Sequence, residues 1–267
     1  SSRHYLSHPV PAAHKLWPRV DVALAIGSRF QLPQTHWGVD SDLKVIRVDV
    51  DAEAMNRINK PDLGIVARNE DVLPHLLPLV EANNIVRASR EMEMLELKAW
   101  TDEQFAYLAP QNAYLNVIRD ELPDDGIFVD ELTQIGYVSR QVMPVYKPYT
   151  FISTGYQGTL GWGFATALGV KVAYPDTPVI SVAGDGGFMF NVQELATAVQ
   201  HRIGLVTLLF NDNAFGNVKR MQQDLYGNRV IASDLHNPDF IKMSESFGAQ
   251  AIRAHNPEEM RTAIRKG

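Results

Sequence analysis

Two short stretches carry side chains that could gather hard oxygens around a cation. One is Gly184-Asp185-Gly186-Gly187; the other is Asn211-Asp212-Asn213, running on into Ala214-Phe215-Gly216. Carboxylate and amide oxygens, together with a loop carbonyl and phosphate oxygens, suit an octahedral Mg²⁺ completed by water. The glycines would let the backbone approach a phosphate and offer it N–H groups near a helix start. Gly-Asp-Gly by itself is a weak signal. On spacing alone, Asp185 reads equally as a helix cap and 211–213 as an ordinary polar turn.

The elements around these residues have to bring them together. A β-branched apolar run precedes Asp185, a helical stretch covers 192–200, and a second apolar run covers 205–210. That order predicts a βαβ unit in which both polar turns lie at the carboxyl ends of adjacent parallel strands. Open α/β sheets bind ligands at that edge. Asp185 and Asp212, distant in sequence, would then sit side by side.

These residues carry a resemblance. Gly184-Asp185-Gly186, then helix, strand and the pair Asn211-Asp212, resembles the thiamine diphosphate (ThDP) and Mg²⁺ motif of ThDP-dependent enzymes. Gly158-Thr159-Leu160-Gly161-Trp162-Gly163-Phe164-Ala165-Thr166-Ala167-Leu168-Gly169 is similar to the glycine-rich block before that motif in acetolactate-synthase-like members. Asn237-Pro238-Asp239-Phe240 and Phe247-Gly248-Ala249 match the same group, in the same order.

The resemblance spans nearly the whole chain and implies ThDP and Mg²⁺ as cofactors. It places Gly158, Gly184, Asp185, Gly186, Gly187, Asp212, Ala214, Phe215 and Gly216 against the cofactor. Asp185, Asp212 and the Ala214 carbonyl would be the metal ligands, with Asn211 the alternative side chain if the turn is shifted by one. Thr133 and Gln134 would contact the diphosphate, and Leu160 would prop the cofactor in its bent form. Thr133 as a plain helix cap and Leu160 as ordinary core remain open. The family usually has two asparagines where this chain has Asn211-Asp212; a carboxylate there is a better partner for Mg²⁺ and a worse neighbour for diphosphate.

Composition sets outer bounds. The 267 residues suffice for two ordinary domains, and a net charge of −6 argues against a broad nucleic-acid surface. Cysteine is absent, which removes disulfides, thiolate metal sites and cysteine nucleophiles. No apolar run reaches membrane-span length and no signal-peptide pattern opens the chain, so the expectation is a cytoplasmic protein with no membrane partner.

In chain order, 1–19 reads as irregular, and 21–27, 44–51 and 64–67 as buried parallel strands. A helix is expected over 72–80. The fold class is therefore α/β: a partial Rossmann-like central domain over 1–84, a solvated helical linker over 85–109 with Met92, Leu95 and Leu97 packing, and a doubly wound parallel-sheet ThDP diphosphate-binding domain over 110–267. Helix 113–122 and strand 126–130 open that last domain, and 250–253 should add a strand near its end. Lys219 and Arg220 should face solvent. Gly27-Ser28-Arg29-Phe30 and Asp49-Val50-Asp51 occupy places where some relatives bind FAD or ADP, but no G-x-G-x-x-G fingerprint supports a nucleotide there.

The resemblance further implies that a glutamate activating the aminopyrimidine lies on a separate pyrimidine-binding domain, ordinarily N-terminal and usually from another subunit. Nothing in this chain resembles it, so no catalytic residue is assigned here. The expectation is the C-terminal portion of an acetolactate-synthase-like 2-oxo-acid decarboxylase/carboligase, incomplete alone, partnered by the missing pyrimidine-binding half in a homo-oligomer (dimer or tetramer). A simple decarboxylase or C–C lyase, and a non-catalytic Mg²⁺-nucleotide-binding module, are the alternatives.

Overall fold

The computed structural model describes every residue except Ser41 and Tyr156. The chain forms two compact units, His8–Lys98 and Ser1–Ser7 with Ala99–Gly267.

The smaller unit holds a three-stranded parallel sheet of β1 (Val22–Ile26), β2 (Lys44–Asp49) and β3 (Leu63–Val66), in that spatial order. The N-terminal stretch expected to be irregular instead contains α1 (Val10–Leu16), with proline in its first turn and Ala12 fully buried. Proline costs nothing at that position because its missing N–H would have no helical partner. The strands are parallel as expected, but β1 is buried on one face only. Ala23 and Ala25 point inward, with Val45 beside them, while Val22 and Leu24 are about half exposed.

Asp51 caps α2 (Ala52–Met55), accepting bonds from Glu53 and Ala54 N–H. Asp49 accepts from Asp51 N–H and pairs with the buried Arg47 at 3.5 Å. Helix α3 (Asn69–Asn83) extends the expected helix at both ends. Residues 84–90 carry no helix or strand. In α4 (Glu91–Phe105), Met94, Leu97 and Thr101 are buried, whereas Met92 and Leu95, expected to pack, are exposed. The i, i+3, i+7 stripe chose the neighbouring positions.

The larger unit contains a four-stranded sheet, all pairs parallel, in the order β5-β4-β6-β7. Its elements run α5 (Ala109–Glu121), β4 (Ile127–Val129), α6 (Gln134–Val142), β5 (Phe151–Ile152), α7 (Trp162–Ala173), β6 (Val179–Gly184), α8 (Asp185–Phe188), α9 (Glu194–Gln200), β7 (Val206–Phe210), α10 (Gly216–Leu225), α11 (Phe240–Ser246) and α12 (Pro257–Ile264). Alternation along β6 divides the core. Ile180 and Val182 face α5, α6 and α12, while Ala183 faces α7, α8, α9 and α11. Helices on both faces make β4 and β6 apolar almost throughout, the pattern of a doubly wound sheet.

The helical stretch expected over 192–200 forms as α9, and a separate short helix, α8, covers the turn that begins at Asp185. The strand expected at 250–253 does not form. Ile252 is about half exposed, and Arg253 bonds the Asp239 carboxylate at 3.1 Å, so side-chain pairing rather than a ladder holds this segment. Lys219 is likewise not simply solvated, because it pairs with Asp234 at 2.6 Å. Among the described residues no helix is long and apolar enough to cross a membrane.

Candidate functional site

The carboxyl ends of β4, β6 and β7 converge on one cavity of about 330 Å³. β6 and β7 pair in register up to Gly184↔Phe210, so the turns that follow them leave the sheet side by side. Every residue placed in the site from the sequence lines this cavity except Gly158, which packs against Leu132 instead. Pro110, Gln111 and Tyr114 of α5 also line it and were not foreseen.

Asp185 is 2% exposed and opens α8, yet its side chain makes no capping bond. Its Oδ2 accepts instead from the Asn237 amide at 2.6 Å. The same Asn237 nitrogen donates to Asn211 Oδ1 at 2.9 Å and lies 3.3 Å from Asn213 Oδ1. One amide thus ties the turn after β6 to the turn after β7. The latter is fixed further by an antiparallel bridge between Ala214 and Asp234, whose bonds run from Phe215 N–H to Ser233 and from Leu235 N–H to Asn213. Asn213 takes the left-handed φ of 57° that this turn needs, a conformation asparagine tolerates.

Asp212 sits differently from Asn211. Asn211 Oδ1 is engaged by Asn213 N–H and by Asn237. Asp212 lines the cavity, with Oδ1 accepting from Ala214 N–H at 3.3 Å and Oδ2 from Gln134 Nε2 at 3.2 Å. Gln111 Nε2 in turn donates to Gln134 Oε1 at 3.1 Å, which sets the direction of the Gln134 amide. Partial burial, and then the negative charge of Asp185, push the Asp212 carboxyl above its ordinary range. Neither aspartate has a lysine or arginine partner among the described residues.

Two carboxyl groups lining one cavity, with no lysine or arginine paired to either among the described residues, form a donor set suited to a hard divalent ion. Among the described residues no group of three or more histidine or acidic side chains is placed to hold a metal ion, so water and a ligand's oxygens would have to complete the shell. The anion side of the site is also built. Thr133 stands at the N-cap of α6 but makes no capping bond, which leaves its hydroxyl beside Gly184. The Phe215 ring lies over Gly186, and Asp212 Oδ2 lies over Gly216, both where a Cβ would otherwise project. A cation and a phosphate therefore fit the residues present.

Glu131, at the end of β4, is fully buried and does not line the cavity. Burial pushes its carboxyl up to about 7, opposed by the bond from Gly161 N–H and reinforced by neighbouring Asp130. Asp130 is also raised by burial, although Arg140 pairs with it at 2.5 Å.

Because the folded pKa of Glu131 exceeds its unfolded value of 4.5, the native state holds the extra proton. Stability is then expected to fall as pH rises from about 4.5 to about 7 and to level off above, a loss on the order of 3 kcal/mol. Urea midpoints of the parent and of Glu131→Gln should lie together at about pH 4.5 and below, separate between about pH 4.5 and 7, and stay apart by a constant amount above, with the variant more stable. Parallel pH profiles would contradict this.

Residues 132–267 match the family described as thiamine pyrophosphate enzyme, C-terminal TPP binding domain. Over 97% of its length the chain is 31% identical to a probable acetolactate synthase large subunit of Methanocaldococcus jannaschii, covering 46% of that protein. It is 26% identical to the acetolactate synthase isozyme 1 large subunit of Escherichia coli, with 97% of this chain and 47% of the relative aligned. A sulfoacetaldehyde acetyltransferase of Castellaniella defragrans is 26% identical, over 96% of this chain and 48% of that protein. The chain thus spans about half the length of the curated relatives it matches.

Proposed function

Since the chain belongs to the thiamine pyrophosphate enzyme family through its C-terminal TPP binding domain, we propose that it supplies the metal- and diphosphate-holding side of the site in an acetolactate-synthase-like 2-oxo-acid decarboxylase/carboligase. The observation that carries this reading is the pair of unneutralised aspartates, Asp185 and Asp212, at adjacent strand ends in one cavity. When bound, ThDP supplies a ring carbon able to stabilise the carbanion left by a decarboxylating 2-oxo acid.

The residues of this chain have three tasks. Asp185, Asp212 and the Ala214 carbonyl would hold Mg²⁺, and the engagement of Asn211 by Asn213 and Asn237 favours Asp212 as the second side-chain ligand. Asn237 keeps Asp185 aimed, and Gln111 keeps the Gln134 amide turned toward Asp212. Thr133, Gln134 and the backbone from Gly184 to Gly187 would contact the diphosphate, with N–H groups at the start of α8 facing the negative charge. Leu160, 37% exposed on the cavity wall, offers an apolar surface to the part of the ligand beyond the diphosphate. Among the described residues the carboxyls that line the cavity are Asp185 and Asp212, and Glu131 does not line it. The activating glutamate is proposed to come from a pyrimidine-binding domain, in a homo-oligomer acting on a small 2-oxo acid.

Calorimetric titration tests the reading against a nucleotide-binding module. ThDP with Mg²⁺ should bind, a chelator should abolish that binding, and ATP with Mg²⁺ should give no comparable heat. Equal affinity for ATP would overturn the assignment.

Leu160→Ala should leave inorganic pyrophosphate affinity unchanged. It should slow exchange of the ThDP C2 proton by about tenfold, the rate equivalent of roughly 1.4 kcal/mol. Exchange at the parent rate, followed by NMR in deuterated buffer with the complete enzyme, would mean that Leu160 is only core.

A further inference from the structure

The geometry points to Glu131 as a positioning residue that locks the Leu160–Gly161 peptide and so holds Leu160 in place on the cavity wall. The inference rests on the proposed role of Leu160 toward the cofactor. Glu131 Oε1 accepts the Gly161 N–H, while the Asn191 amide donates to the Gly161 carbonyl. Gly161 is therefore gripped on both sides, by the end of β4 and by the loop after α8. It has a left-handed φ of 83°, and a Cβ there would come within 2.6 Å of Phe190 Cβ. That conformation turns the chain from Leu160 into α7, which has no side-chain cap of its own.

The carboxyl has a purpose-shaped space. A Cβ on Gly187 would lie 2.5 Å from Glu131 Oε1, and one on Gly163 would lie 3.2 Å from Oε2. Both positions are glycine, so three chain segments close around one side chain. Its Oε2 has no hydrogen-bond partner among the described residues. A residue that only filled core would be apolar here; a side-chain oxygen is needed to accept a backbone N–H from within an otherwise dry space. The charged groups around it are Asp130, next in sequence, and Arg140, which pairs with Asp130 rather than with Glu131. Among the described residues no cation pairs with Glu131 and its Oε2 has no partner, so ionisation, although it strengthens the single Gly161 bond, drives the carboxylate toward water and out of this space; the neutral acid is the form that fits. A glutamine has the same shape and the same acceptor, and it cannot ionise.

The test compares the parent with Glu131→Gln in the full-length protein, titrating ThDP and inorganic pyrophosphate separately, each with Mg²⁺. Measurements run from about one unit below to one unit above the Glu131 pKa of about 7. Taking the ratio of parent to variant affinity cancels the ligands' own ionisation. For ThDP the ratio should be near one at the acid end and fall about two- to tenfold at the alkaline end, the size of one hydrogen bond's contribution. For pyrophosphate, which does not reach Leu160, it should stay near one throughout.

A flat ratio for ThDP would overturn the inference, as would an equal fall for both ligands, which would make Glu131 a general support of the sheet edge. Leu160→Ala reports separately. Parent-rate C2 exchange in that variant would sink the reading of Leu160 itself, whereas slowed exchange with a flat Glu131 ratio would sink only the Glu131 inference.

Discussion

Asp185→Ala is expected to abolish Mg²⁺-dependent retention of ThDP while leaving the fold intact. The carboxylate is 2% exposed and accepts a 2.6 Å bond from Asn237, so it is already aimed before any ligand arrives. Removing it should weaken Mg²⁺-ThDP binding by more than about 100-fold, beyond the 10–100-fold typical of losing a group that merely supports a metal ligand. The protein itself should tolerate the change. Asn237 keeps Asn211 and Asn213 as acceptors, and Asp212 is relieved of a repulsive neighbour.

Asp212→Asn should behave differently, because an amide oxygen can still ligate. Its affinity should stay within about tenfold of the parent, or about 1.4 kcal/mol. Calorimetry on both variants, with thermal melts as the control for folding, decides the matter. Undiminished ThDP binding by Asp185→Ala would remove Asp185 from the metal site.

Gly136→Ala should cause the largest loss of stability. Gly136 lies in the first turn of α6, where a Cβ would overlap the Glu131 carbonyl oxygen and press on the backbone behind it. That oxygen also accepts the Thr133 N–H at 2.8 Å, so it cannot retreat without opening the turn that carries Thr133 and Gln134. Backbone, unlike a long side chain, has no other rotamer to adopt. The expected destabilisation is about 3 kcal/mol, the upper part of the usual range for overpacking. For a unit of this size that corresponds to a melting point lower by roughly 6–12 °C. A melting point within about 2 °C of the parent would show that the 131–136 turn is looser than its contacts indicate.

The motif at the sheet edge was legible because its signals are local. Continuous apolar runs marked β6 and β7, and the polar turns after each had to share an edge once the strands paired in parallel. The cavity and most of its lining follow from that. What could not be read depends on segments distant in sequence. Asn237 reaches back to Asp185 from a loop beyond α9, β7 and α10, and nothing in Asn-Pro-Asp predicts which acceptors its amide will find. Gln111 is one polar position on an amphipathic helix, and only the packing of α5 beside α6 turns it toward Gln134.

Glu131 followed a strand and was read with its turn, but its full burial depends on Gly163 and Gly187 folding over it. The missing strand at 250–253 is the opposite case. A four-residue run with only two apolar positions, Ala251 and Ile252, is too short to win a ladder when Arg253 has the Asp239 carboxylate in reach.

The most direct test is anomalous diffraction from crystals of the protein grown with ThDP and with Mn²⁺ in place of Mg²⁺. A single strong peak should lie within about 2.0–2.3 Å of the Asp185 carboxylate, the Asp212 carboxylate and the Ala214 carbonyl, with diphosphate oxygens completing the octahedral shell. A peak away from this edge, or ThDP ordered elsewhere on the protein, would contradict the account.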